Sequence, residues 1–133
     1  MEFIATKNAL KPSGHYSQAI VHNGVMYISG QLPIDPETGE KVHGTIEEET
    51  ARVLGNLELI LREAGSSKEN VLKVTLYIPD ISLWDNVNKV YSDFFGSHKP
   101  ARSVVPTKEL HYGFKIEIEA IAAVDGKGVR CNG

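Results

Sequence analysis

The stretch TIEEETARVLGNLELILREAGSSKENVLKVTLYI, residues 45–78, decides the fold. Its first part has a helical period: Val53, Leu54, Leu57, Leu61 and Ala64 recur at spacings that put them in one apolar stripe. Thr45 followed three residues later by Glu48 has the pattern of a capping box. Gly65 stands where a helix commonly ends in a left-handed residue. A helix from Thr45 to Ala64 is therefore expected. Beyond it the period changes to two. Leu72, Val74, Leu76 and Ile78 alternate with Lys73, Thr75 and Tyr77, so Val71 to Ile78 reads as a strand with one face on a core.

Upstream, Phe3-Ile4-Ala5 reads as a short strand. Ser17 to His22 and Val25 to Ser29 flank Asn23-Gly24, a dipeptide suited to the positive φ angles of a tight hairpin turn. Pro33, Pro36 and Gly39 mark a loop before the helix. Downstream, Ser82 with Asp85 is expected to open a second helix carrying Trp84, Val87, Tyr91, Phe94 and Phe95 and closed by Gly96. Ser103 to Val105 reads as a short strand interrupted by Pro106. Phe114 to Val124 reads as a long last strand, with Ile116 and Ile118 opposite Lys115, Glu117 and Glu119. The order is β-β-β-α-β-α-β-β, an α+β class. Two helices cover one face of such a sheet. The other face would present Tyr77, Glu117 and Glu119, and packing it against copies of the chain predicts a homo-oligomer.

The 133 residues suit one domain, expected over residues 1–125 with a flexible tail at 126–133. A net charge of −3 with scattered Lys and Arg makes nucleic acid an unlikely partner. The single cysteine, Cys131, permits no internal disulfide. The first residues lack the basic start and apolar run of a signal peptide. No run approaches the ~18 apolar residues of a membrane span. A reducing cytoplasm is the expected compartment. There is no Gly-rich phosphate loop and no G-x-S-x-G elbow. The five histidines show no zinc-ligand spacing, so neither a metal nor a cofactor is expected.

Several polar residues lie where structure alone does not ask for them. Arg102, in Pro100-Ala101-Arg102-Ser103-Val104-Val105, offers a planar fork of donors that matches a carboxylate, although a plain surface arginine is the simpler account of it alone. Glu117, placed mid-strand, can position and deprotonate a water if partial burial raises its pKa, or it can belong to a solvated strand face. Tyr16 offers a hydroxyl on an apolar body, or a packed aromatic. Ser29-Gly30-Gln31 permits close approach of a ligand to backbone, or simply ends a strand. Asn88 beside the second helical stripe is either a buried partner or an exposed break.

Together these residues resemble the RidA family, the reactive intermediate imine deaminases also called YjgF-like proteins, over roughly Ile4 to Val124. The resemblance is carried by Tyr16-Ser17-Gln18, by Ile28-Ser29-Gly30-Gln31-Leu32-Pro33-Ile34, and by Pro100-Ala101-Arg102-Ser103 with Lys115-Ile116-Glu117-Ile118-Glu119-Ala120. It implies a chorismate-mutase-like α+β fold, a homotrimer with sites at subunit boundaries, and hydrolysis of enamines and imines such as 2-aminoacrylate to 2-keto acids and ammonia. On that resemblance Arg102 would clamp the substrate carboxylate and Glu117 would hold the attacking water. Tyr16, Ser29, Gly30, Asn88 and the backbone of Val104 would complete the pocket. The chain departs from the family pattern at three places: His15 where Pro is usual, Val104 where Cys is common, and Val105 to His111 where a Val-Glu-Val pattern ending in Leu-Pro is commoner. These departures leave the reaction class in place and open the substrate range.

Overall fold

A computed structural model describes residues 1–124; the tail expected at 126–133, with Cys131, lies outside the described residues. Strands β1 (Glu2–Ile4), β2 (Ala19–His22) and β3 (Val25–Gln31) precede helix α1 (Ile46–Glu63). Strand β4 (Val71–Ile78), helix α2 (Trp84–Phe95), strand β5 (Ala101–Pro106) and strand β6 (Glu117–Ala123) follow. The six strands form one sheet in the order β1-β2-β3-β6-β4-β5. All neighbours are antiparallel except β4 and β5, which α2 connects as a parallel pair. Among the described residues no helix is long and apolar enough to cross a membrane.

Local chemistry fixes the elements. Asn23 and Gly24 have φ of 52° and 77°, as the β2–β3 hairpin turn requires. The Thr45 side chain accepts from Glu48 N, and the Glu48 carboxylate accepts from Thr45 N, which completes the capping box of α1. At its far end Gly65 N donates to Arg62 O and Ser66 N to Leu61 O, with Gly65 at φ 73°. This double bond to the last carbonyls is the Schellman arrangement. The start of α2 differs from the expectation. Asp80 caps a single 3-10 turn at Ile81–Leu83 through Ser82 N, and α2 begins only at Trp84.

Val53, Leu54, Leu57, Ile60 and Leu61 of α1 and Val87, Tyr91 and Phe95 of α2 pack on Met26, Ile28, Val74, Leu76, Ile78, Ile118, Ala120 and Ala122 of the sheet. Burying side chains of this size contributes about 1.5–3 kcal/mol each before entropy is counted. The alternation expected for β4 breaks at its start. A bulge between Val71 and Lys73 buries Val71 and leaves Leu72 48% exposed, so Leu72 does not face the core. The opposite face of the sheet is open. Phe3, Ile20, Tyr27, Ile121 and Lys73 form one row across it, and Glu119 with Thr75 and Glu117 with Tyr77 form the next two.

Among the described residues one charged group is wholly buried. Glu49, on α1, accepts from Lys115 N at 2.8 Å and from Lys115 Nζ at 3.1 Å, and the same ammonium donates to Gly44 O at 3.0 Å. The pair ties the first turns of α1 to the residues that lead into β6. Strand β5 also runs further than the sequence suggests. It includes Arg102 and ends on Pro106, and Thr107 N continues the ladder by donating to Ile78 O. A proline at the end of an edge strand costs little pairing.

Candidate active site in two halves

Glu117 is the first residue of β6 rather than a mid-strand residue, because Phe114 to Ile116 lie ahead of the ladder. Opposite it β3 carries a second bulge. Ile28 pairs with Ala120 and Gln31 with Ile118, so Ser29 and Gly30 together face Glu119. The extra residue opens a hollow, and Gly30 gives that space to Glu117. A β-carbon at Gly30 would overlap the Glu117 carboxylate. Burial raises the Glu117 pKa above the usual carboxylate range; the nearby His111 pulls it back and Glu119 pushes it further up. A carboxyl in this state is a proton acceptor suited to a pH closer to neutrality.

The Ser29 hydroxyl donates to Ser17 O at 2.6 Å, which binds the β3 bulge to the segment before β2. Tyr16 projects 49% exposed from that segment, with Ser13 N donating to its hydroxyl oxygen at 3.4 Å. Tyr16, Ser29, Gly30 and Glu117 share one open cleft of about 520 Å3, which His111 and Tyr112 also line. These last two were not among the expected site residues. The Leu110-His111 departure was visible in the sequence, but their place in the cleft depends on backbone. Tyr112 has φ of 58° and Gly113 φ of 72°, so the turn before β6 folds back toward the cleft.

Arg102 belongs elsewhere. Its guanidinium donates to Asn88 Oδ1 at 2.8 Å and lies 4.6 Å from the Trp84 ring centre and 5.0 Å from that of Tyr91, all on α2. The two rings and one hydrogen bond orient a cation that still presents further donors from its fork. Asn88, Tyr91, His98, Lys99 and Arg102 line a second cleft of about 460 Å3 at the β5 edge. Val104, two residues on, pairs with Leu76 and packs half-buried against the core, so the Arg102 face of β5 is the helix face.

The expected residues thus fall into two sets. Tyr16, Ser29, Gly30 and Glu117 meet on the open side of the sheet; Arg102 and Asn88 meet on the helix side, at an edge, and Val104 shares that face of β5 but packs on the core outside their cleft. A single chain does not bring the sets together. Among the described residues no group of three His, Cys, Asp or Glu side chains could hold a metal ion.

A six-stranded mixed sheet backed by two helices, with a bulged strand beside a half-buried glutamate, defines a YjgF-like α+β protein. A family model described as Endoribonuclease L-PSP matches residues 6–124. The chain is 50% identical over 121 residues to a RutC family protein of Pyrococcus abyssi, covering 91% of this chain and 95% of that protein. It is 40% identical over 119 residues to human 2-iminobutanoate/2-iminopropanoate deaminase, covering 90% and 87%. Escherichia coli TdcF, whose structure was solved with bound serine, superposes with a TM-score of 0.87 at 33% identity, covering 92% and 98% of the two chains. The chain belongs to the RidA/YjgF/RutC family.

Proposed function

We propose that this chain hydrolyses 2-imino acids, formed from enamines such as 2-aminoacrylate, to 2-keto acids and ammonia. The site is completed where two protomers of a homotrimer meet, Arg102 coming from one and Glu117 from its neighbour. The single observation that carries this reading is the Glu117 carboxyl: half-buried, raised in pKa, given room by Gly30, and making no ion pair among the described residues. A structural carboxylate is usually paired or solvated. One set apart in a cleft is poised to take a proton.

The chemistry follows from the two halves. Arg102 grips the substrate carboxylate bidentately and turns an encounter into an oriented one. Glu117 removes a proton from water as its oxygen attacks the electrophilic imine carbon. The tetrahedral carbinolamine then expels ammonia and becomes the keto acid. Tyr16 and Ser29 border the reacting atoms, and Asn88 aims Arg102. The imine is already activated, so the reaction calls for no electrophilic cofactor. The exposed Phe3 and Tyr27 on the open sheet face, 61% and 51% accessible, support a covering by further copies. The human deaminase, similar along nearly its whole length, supports the reaction class.

The test is a dehydratase that generates 2-aminoacrylate or 2-iminobutyrate, with keto-acid formation followed over time. Added protein is expected to accelerate it, and Arg102→Ala and Glu117→Gln are expected not to. Equal acceleration by Arg102→Ala would overturn the assignment. The serine bound by TdcF favours a second reading, a small-carboxylate binder without turnover. That reading predicts saturable 2-keto acid binding lost in Arg102→Ala and no rate effect of Glu117→Gln. Ribonuclease action, suggested by the family model's description, fits poorly with a net charge of −3.

A further inference from the structure

We infer that His111 is a second catalytic residue of the cleft, the acid that protonates the imine nitrogen as water adds. The inference rests on the hydrolysis proposed above and assigns a role that the Arg102 and Glu117 chemistry leaves unfilled.

Hydrolysis of a C=N bond moves protons at two places. The attacking water must lose one, and the nitrogen must gain two before it leaves as ammonia. Glu117 serves the water. A carboxylate that has just taken that proton can hand it on only after the first addition, so nitrogen needs another donor at the start. His111 lines the same cleft as Glu117, Gly30, Ser29 and Tyr16, and among the described residues no hydrogen bond engages its exposed ring. Its backbone is held on both sides. Phe114 N donates to His111 O and Gly113 N to Leu110 O, each at 3.2 Å, across the left-handed pair Tyr112 and Gly113. A non-glycine residue at positive φ is sterically disfavoured, and such conformations collect at functional sites. Tyr112 itself is braced by Phe114 at 5.8 Å and by Lys41 Nζ at 4.5 Å from its ring centre. The imidazole therefore sits on a braced wall of the cleft that also holds the carboxylate, and through space it draws the Glu117 pKa down.

The proton count closes. As the water oxygen bonds to carbon, the C=N π pair moves to nitrogen, which takes a proton from imidazolium; Glu117 takes one from the water. As the C–N bond breaks, Glu117 returns its proton to nitrogen, and the carbinol O–H proton passes to neutral His111 as C=O forms. Both side chains end as they began. The titratable and charged groups around His111 are Tyr16 before β2, Lys41 and His43 in the loop before α1, Tyr77 on β4, the adjacent Tyr112, and Glu117 and Glu119 on β6. None of the others combines an exposed, unengaged ring nitrogen with a place beside Glu117.

The experiment compares the pH profiles of kcat and kcat/KM for the wild-type oligomer and for His111→Gln in the dehydratase-coupled assay. The variant is expected to lose about a hundredfold in kcat, with KM little changed, and to lose the alkaline fall of the profile. Added imidazole is expected to restore part of the rate to His111→Ala, which a merely structural role would not allow. A His111→Gln profile of wild-type shape, with kcat within about twofold, would overturn the role of His111 while leaving the hydrolysis standing. A wild-type protein without activity would overturn the hydrolysis itself and this inference with it.

Discussion

Arg102 and Glu117 lie on opposite faces of one sheet: β4 pairs its core-facing Val74 with Arg102 and its open-face Tyr77 with Glu117. Residues three apart on a strand point to opposite sides. Arg102 is on β5, one of the two edge strands, and from an edge a helix-face side chain can reach past its own sheet. A site that needs both groups is therefore a site between copies.

Mixed oligomers test this directly. Arg102→Ala and Glu117→Gln protomers, each inactive alone, are expected to regain about a third of the wild-type rate in trimers that contain both, since one boundary in three of such a trimer then carries both groups. Differently tagged subunits, co-expressed and purified through both tags, provide the measurement. No recovery in the mixed oligomer would place the two residues in separate roles.

Gly30→Ala puts a methyl group against the Glu117 carboxylate. Either the carboxylate, the free end of a flexible side chain, swings away at little cost, or β3 shifts at a cost of about 1–3 kcal/mol. A displacement near 1 Å at a reacting group lowers kcat/KM by about a hundredfold. Thermal unfolding and steady-state rates on the same sample should show a folded, slow enzyme; an unaltered rate would mean that the hollow is not where the reaction occurs.

The raised pKa of Glu117 sets two pH dependences with opposite senses. Activity needs the carboxylate, so its acid limb should lie above the ordinary carboxylate range. Stability behaves otherwise. Between the unfolded and the raised folded pKa the native state binds more protons than the unfolded chain, so stability falls as pH rises through that window. Glu117→Gln removes the ionisation, and its thermal midpoint should gain on the wild type from acid to neutral pH. A constant difference across that range would show that burial does not perturb the group.

The Glu49–Lys115 pair predicts an asymmetry. Removing the cation by Lys115→Met leaves a fully buried carboxylate with only a backbone partner, a defect of about 3–5 kcal/mol. Glu49→Gln keeps an acceptor for Lys115 N, and the half-exposed ammonium can turn to water, so its cost is about 1–3 kcal/mol. Urea unfolding of the two variants measures the order, and equal losses would show that the charge itself is not what burial penalises.

Much of the fold was legible because local signals agreed. The Thr45–Glu48 box, Gly65 and the Asn23-Gly24 turn each satisfy backbone groups that no other arrangement would, and all three stand where the sequence places them. What alternation alone could not reveal were the bulges. Leu72 was expected on the core face because the count of two was carried through Val71; one extra residue there reverses the start of β4. The same cause hid the length of β3, where Ser29 and Gly30 seem to end a strand that in fact continues to Gln31. Glu49 is not legible as buried because a charged residue beside an apolar stripe reads as surface, and it is Lys115, 66 positions away, whose backbone and ammonium satisfy it. The proposed site residues are recognisable as types. That they divide between two faces depends on the register of β4, β5 and β6, which sequence patterns do not determine.

The β3 bulge bears on how such chains can change over time. Ile28 and Gln31 both point inward although three positions separate them, because Ser29 and Gly30 together occupy a single step of the ladder. Deleting Gly30 would leave the inward residues two apart, the spacing of an ordinary strand, so the interior would keep its pattern while the space beside Glu117 disappeared. Losing one codon would then silence the chemistry and spare the architecture. Descent and catalysis are separable at this point in the chain, and a homologue one residue short there is expected to fold alike and turn over nothing.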